Sequence, residues 1–418
     1  MVLRYYGGHT KIGIVDRIYE ALLREHLESN RQMAVVSGPR QVGKTTSSRV
    51  AAGDHRYYSW DRQHDRQLIT RGPDAVADDL QLEVLRDRPL SVVFDELHKY
   101  GSWRDFLKGY YDVYGEQTRT IVTGSARLGF FRRTGDSLMG RYFLYRMHPL
   151  SVGELARSLM TAEAVGASLL HSPLRIDDSS WENLCTYGGF PEPFLRGERR
   201  FYNRWSRMRA ELLFREDVRD LTRVEEVGQI EVLGKLLEAR TGSLLNYSSL
   251  ANDANIAVDT ARRWTAILGA LYHSFRLKPW YRNVPKALRK QPKVYLWDWS
   301  GISDPGKRFE NLVASHLLKA THWWTDIGLG GFELYYLRDK TKREVDFLVT
   351  RYERPWFLVE TKHSSERTLS PALAHFQAVT GAQHAIQVAE DAPWIDVDCF
   401  GQDRPVIVPA RTFLSQLV

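Results

Sequence analysis

The chain has 418 residues, 43% hydrophobic and 26% charged, which is apolar enough to bury real cores and excludes wholesale disorder. Its 58 Lys and Arg against 51 Asp and Glu leave a net charge of +7, an excess that permits a polyanionic partner without demanding one. Two cysteines, Cys185 and Cys399, stand in no CxxC or His-rich cluster, which argues against a structural zinc or a disulfide framework. Met1–Arg17 has no apolar run able to act as a signal peptide, and no stretch of about 18 apolar residues occurs anywhere. A cytoplasmic location with no membrane partner is therefore expected.

The first third alternates β-branched runs with helical stretches. Met33–Ser37, Leu90–Phe94 and Thr120–Thr123 read as strands of a parallel α/β sheet. Directly after the first of these, Gly38-Pro39-Arg40-Gln41-Val42-Gly43-Lys44-Thr45 matches GxxxxGK[ST] in full, and Thr46 continues into a helix. Glycines there let backbone N–H groups wrap phosphates, and the helix N-terminus adds a positive dipole. Lys44 would reach the β- and γ-phosphates of ATP, and Thr45 would offer its hydroxyl to Mg²⁺. The second strand ends in Asp95-Glu96; Asp95 would orient the Mg²⁺ shell and Glu96 polarise the attacking water. At the tip of the third, Thr123 or Ser125 could sense the γ-phosphate. Arg141 could act as a γ-phosphate finger, either in cis or from a neighbouring subunit of a homo-oligomer.

The strings GPRQVGKTT, VVFDELHK and TGSARL, the Gly-Arg before HPLSVGEL, and Gly188-Gly189-Phe190-Pro191-Glu192, in that order, resemble the prokaryotic AAA+ ATPases with a C-terminal DUF4143 region. The resemblance covers nearly the whole chain. It implies a P-loop AAA+ domain with a parallel sheet over residues 1–150, a helical region with a winged-helix-like segment over 151–278, and a restriction-endonuclease-like α/β domain of the PD-(D/E)xK type over 279–418. One departure is Leu97-His98 after the acid pair, where Ile-Gln is usual.

Residues 150–278 are rich in Leu, Ala, Arg and Glu at helical spacing, with almost no strand signal. Leu244–Leu271 reads as two helices joined by a turn, Asp259 or a neighbour capping the second. Arg262 and Arg263 near its start would face a DNA major groove if the pair is a helix-turn-helix. A basic run follows, including Arg289, Lys290 and Lys293 interleaved with Trp280, Tyr281 and Tyr295, a composition suited to a DNA backbone or equally to a solvated strand pair.

Beyond Pro279, Val294–Trp297, Phe332–Leu337, Val345–Thr350, Trp356–Thr361 and Ala385–Val388 read as strands, with helices around Arg308–Ala320 and Leu369–Thr380. Period-two alternation puts Glu360 and Lys362 on one strand face, with Asp346 on the preceding strand and Glu310 on a helix. This looks like the D–(D/E)xK nuclease signature: Glu310, Asp346 and Glu360 as metal ligands, Lys362 orienting the water. Glu344, two before Asp346, shares its strand face and could be a further ligand, though it reads rather as a solvated neighbour. The expectation is an ATP-hydrolysing AAA+ protein that uses ATP and Mg²⁺ and acts on duplex or branched DNA through a Mg²⁺-dependent nuclease-like domain. The alternative is an ATP-driven regulatory or defence switch whose C-terminal domain binds DNA or protein without cutting.

Overall fold

The computed structural model describes residues 15–124, 138–157, 168–218, 226–281, 291–364 and 368–418. The chain divides into two compact units, one built on Asp16–His148 and the other on Pro149–Ser158 and Gly166–Val418.

The first unit is organised by a five-stranded sheet: β1 (Met33–Ser37), β2 (His55–Ser59), β3 (Leu90–Asp95), β4 (Thr118–Gly124) and β5 (Tyr142–Arg146). All pairings are parallel and the spatial order is β2-β3-β4-β1-β5. β1 is buried at every position, as a central parallel strand covered on both faces must be. Phe94, Leu107, Tyr110 and Val122 anchor a core between the sheet and the helix Trp103–Tyr114, with Phe94 edge-on to both Phe106 and Tyr110. Because every strand runs the same way, the C-terminal ends of β1, β3 and β4 gather at one edge of the sheet.

The second unit centres on a seven-stranded mixed sheet of β6 (Ser274–Pro279), β7 (Lys293–Leu296), β8 (Phe332–Arg338), β9 (Glu344–Arg351), β10 (Arg354–Lys362), β11 (His384–Ala389) and β12 (Val406–Pro409). Its order is β12-β11-β10-β9-β8-β6-β7. β8, β9 and β10 form an antiparallel meander, and β10, β11 and β12 run parallel. The boundary expected between residues 278 and 279 falls inside β6, a strand absent from the sequence reading. The helix Pro305–Asp326 lies against this sheet, started by Asp304, which accepts from Lys307 N at 2.9 Å, and by Pro305 at its first position. It is buried nearly all round, as a helix enclosed by protein must be. Its Asn311 side chain accepts from Leu296 N at 2.7 Å and donates to Leu296 O at 2.8 Å, which satisfies part of the edge of β7. Trp323, Trp324 and Trp356 are core residues.

The helices Tyr247–Asp253 and Val258–Ala270 occupy the positions expected for the helix pair. Asn246 caps the first through Ser248 N and Ser249 N. The cap of the second is Ala257, with Asp259 inside the first turn.

Candidate functional site

The loop after β1 is shaped by two glycines. A Cβ on Gly38 would lie 2.4 Å from Met147 O, so only glycine fits beside that backbone. Gly43, which starts the helix Lys44–Ala52, has φ +105°. Lys44 is buried, its Nζ donating to Gly38 O at 3.0 Å and Pro39 O at 2.8 Å. Thr45 Oγ1 donates to Asp95 Oδ1 at 3.0 Å. Asp95 also accepts from Tyr57 OH at 2.6 Å and from Thr123 Oγ1. Loop and strand tips thus converge on one carboxylate. Glu96, in a left-handed backbone conformation at φ 56°, holds its carboxylate 3.7 Å from both His98 Nε2 and Lys99 Nζ. Burial raises its pKa, and the nearby charges of Lys44 and Lys99 pull it partly back.

Val42 is fully buried and Thr46 exposed, while the buried Ser37 Oγ and Gln41 Oε1 meet no hydrogen-bonding partner among the described residues. A loop with spare polar atoms, a buried lysine and a Thr–Asp pair fits a nucleotide phosphate and its Mg²⁺. Thr45 and Asp95 would hold the ion.

Two contributors were missed in the sequence. Arg17 spans the back of the loop, donating from Nη1 to Val42 O at 2.5 Å and from Nη2 to His148 O at 2.6 Å. No motif surrounds it, so nothing in the sequence marks it. Tyr57 lies on β2, whose basic, polar start hides a strand. Ser125 lies outside the described residues. Arg141 is a correction. Its carbonyl accepts from Met33 N, at the start of β1, so it stands at the sheet edge opposite the phosphate loop. There its guanidinium grips Asp112, Nε to Oδ1 at 2.6 Å and Nη2 to Oδ2 at 2.9 Å. It is not a γ-phosphate finger in cis.

The second cluster lies in the C-terminal unit. Glu310, Glu344 and Asp346 converge on Lys293, with Nζ–O distances of 3.2, 2.6 and 3.6 Å respectively. Glu310 Oε1 also accepts from Tyr295 OH at 2.7 Å, and Glu344 Oε2 from Arg338 Nη1 at 2.8 Å. Asp346 Oδ2 reaches across to β10, accepting from Thr361 N at 2.9 Å and Thr361 Oγ1 at 2.7 Å. Glu360 Oε1 pairs with Lys362 Nζ at 3.1 Å, as the two-residue spacing requires. Its buried Oε2 has no hydrogen-bonding partner among the described residues. Burial and the charge of Asp346 push the Glu310 and Glu360 carboxyls up to about 7. Among the described residues, no group of three or more His, Cys, Asp or Glu side chains is placed to hold a metal ion.

Lys293 is therefore corrected from an exposed DNA contact to the buried cation of this cluster, 3% exposed. Glu344 is likewise a paired member of it and not a solvated neighbour. Arg262 and Arg263 are exposed on the helix Val258–Ala270, with the Arg262 guanidinium 5.2 Å from the Tyr247 ring centroid. Arg276 and Lys278 on β6 are exposed as well. Arg289 and Lys290 lie outside the described residues.

Residues 30–156 match an AAA domain family, and residues 305–392 match the domain of unknown function DUF4143. The first range contains the whole phosphate loop, Asp95, Glu96 and Thr123. Residues 30–156 are thus similar to an AAA domain. The chain joins it to a DUF4143 region that includes Glu310, Asp346, Glu360 and Lys362. Between them, residues 178–302, including the Gly188–Glu192 box, match a further domain of unknown function, DUF8612, which the sequence reading did not anticipate.

Two uncharacterized mycobacterial proteins, from Mycobacterium bovis and Mycobacterium tuberculosis, are each 23% identical over 356 residues, spanning 82% of this chain and 72% of theirs. Similar solved structures include the Walker-type ATPase of Pyrococcus abyssi, 16% identical with a TM-score of 0.40, covering 71% of this chain and 95% of that one. The Orc1 protein of Aeropyrum pernix in complex with DNA is 14% identical with a TM-score of 0.32, covering 70% and 90%. So weak a likeness leaves the fold to be read from the chain's own sheets. No helix among the described residues is long and apolar enough to cross a membrane.

Proposed function

We propose that this AAA-type ATPase hydrolyses ATP with Mg²⁺ and acts on DNA, with a nuclease-like domain at its C-terminal end. The observation that carries the ATP half is the convergence of Lys44, Thr45, Asp95 and Glu96 at the strand tips. Bound ATP supplies a phosphoanhydride bond whose cleavage can drive a change of state. The loop N–H groups and Lys44 hold its phosphates. Thr45 and Asp95 would hold the ion, Thr123 stands beside Asp95, and Glu96 would take a proton from the attacking water. The exposed cations Arg262, Arg263, Arg276 and Lys278 support the DNA half; Arg262 lies 5.2 Å from the Tyr247 ring centroid and Arg276 donates to Tyr247 OH at 2.9 Å. A helix pair followed by the antiparallel strands β6 and β7 also suits a winged-helix reading of this segment. In the nuclease reading Asp346 and Glu360 would hold Mg²⁺, Glu310 would close the site and Lys362 would orient water.

The test is phosphate release by the purified chain with Mg²⁺, with and without linear, forked and four-way DNA, scored together with nicking of the DNA. DNA-stimulated turnover supports the reading. Turnover that ignores every DNA, together with no binding, would overturn its DNA half. A second reading is favoured by Lys293: with its own ammonium among the acids, the C-terminal unit would bind DNA or protein without cutting, as the output module of an ATP-driven regulatory or defence switch.

A further inference from the structure

Three acidic side chains from two separate elements surround one buried ammonium. Glu344 and Asp346 come from β9, Glu310 from the helix Pro305–Asp326, and Lys293 from the edge strand β7. The Lys293 side chain is 4% exposed and its nearest carboxylate oxygen lies at 2.6 Å. The remaining oxygens are largely spoken for: Arg338 holds Glu344 Oε2, Thr361 holds Asp346 Oδ2, and Tyr295 shares Glu310 Oε1. A hard divalent cation needs six or more oxygen ligands at about 2.0–2.6 Å. Entering here, it would sit against an ammonium that cannot withdraw to water without breaking three ion pairs. A buried ammonium inside such a cage keeps its proton, since each carboxylate favours the charged form.

We infer that Lys293 is a counter-cation supplied by the protein itself, standing where a divalent metal would otherwise neutralise the acids, so that the cluster works without metal. Glu310 and Glu344 are then positioning residues for Lys293, and Glu360 with Lys362 forms a separate ion pair on the neighbouring strand. The inference deepens the second reading above, in which the C-terminal unit is a binding module.

The test is Mn²⁺ binding to the nucleotide-free full chain, followed by calorimetry and by the Mn²⁺ electron paramagnetic resonance signal, in a Thr45→Ala background that removes the ATPase site from the count. Wild-type Lys293 should give no saturable site below about 1 mM Mn²⁺. Lys293→Met, which keeps the stem and removes the charge, should create one site at least about tenfold tighter, and Lys293→Met with Asp346→Asn should lose it. If Lys293→Met does not fold, Lys293→Gln, which keeps a donor for Glu344, is judged by the same criterion. Saturable binding with Lys293 intact that Asp346→Asn abolishes would overturn the inference, as would a folded Lys293 variant that gains no site. Fluorescence anisotropy of a short DNA duplex on the same proteins separates the two levels. Absent DNA binding counts against the proposed partner and leaves the Mn²⁺ result standing.

Discussion

Single side chains set the chemistry of the ATPase domain. Removing the Lys44 ammonium takes away the cation that would meet the phosphates, so Lys44→Ala should lower ATP turnover by at least about 100-fold, read as phosphate release. Glu96→Gln keeps shape and hydrogen bonding but cannot take a proton; it should retain nucleotide binding while hydrolysis falls about 100-fold or more. Loss of nucleotide binding in Glu96→Gln would instead mark Glu96 as a support for the loop. In the other unit His316 is the residue to titrate. Its Nδ1 donates to Leu312 O at 2.8 Å and its Nε2 accepts from Val152 N at 3.1 Å, so the buried ring is neutral. Burial lowers its pKa to about 3, and Lys319 nearby pushes the same way. An unfolded histidine takes up a proton near pH 6.5. Between the two values the unfolded chain binds more protons, so stability falls as pH drops from about 6.5 toward 3, by up to ~1.4 kcal/mol per pH unit from this group. The melting temperature of this unit should show that slope, and His316→Gln should lower it at neutral pH while flattening the slope.

At the scale of elements, the helix Val152–Ala156 is fastened to the helix Pro305–Asp326 by a buried ion pair. Lys319 Nζ donates to Glu154 Oε2, to Ser151 Oγ at 2.7 Å and to Pro149 O at 3.1 Å. Lys319→Met strands Glu154 without its partner and should cost about 3–5 kcal/mol in denaturant titration, whereas Lys319→Met with Glu154→Leu should recover much of that loss. Most of the strands were legible because buried parallel strands are apolar runs. β2 was not, since it opens on His55 and Arg56, and β6 was not, since it carries Arg276 and Lys278 and ends at Pro279; β5 and β12 were missed as well. The P-loop and acid pair were legible because backbone wrapping and a strand tip leave fixed spacings. Lys293 was misread because it ends a run of cations. Its burial depends on Glu310, Glu344 and Asp346, 17 to 53 positions downstream, a relation no local pattern carries. The position of Arg141 follows only once β5, not read as a strand in the sequence, is seen: a residue entering a parallel strand lies at the edge away from the loops that leave β1 and β3.

Across the whole molecule, the division into two units predicts separable responses. A nucleotide at 100 times its Kd should stabilise the AAA-type unit by about 2.7 kcal/mol, raising one melting transition and leaving the acid cluster's transition in place. DNA affinity should fall with salt at a slope of roughly −0.9 per phosphate contact, and Arg262→Ala with Arg263→Ala should flatten it by about 2; unchanged slope would remove that helix from the interface. The two sheets also differ in how they can be assembled during synthesis. β8, β9 and β10 are successive hairpins and can pair as soon as they leave the ribosome, whereas the first sheet must bring β1 between β4 and β5 across a long stretch of chain. The segment Ser151–Arg157 is made directly after β5, yet its partners lie far downstream: Lys319 for Glu154, and the carbonyls of Ser415 and Leu417 for Arg157. Its polar groups therefore stay hydrated until residues 415–417 have been polymerised. Docking of that segment is the late event of maturation, and pulse-labelled amide exchange should find Val152 protected after the amides of β8–β10.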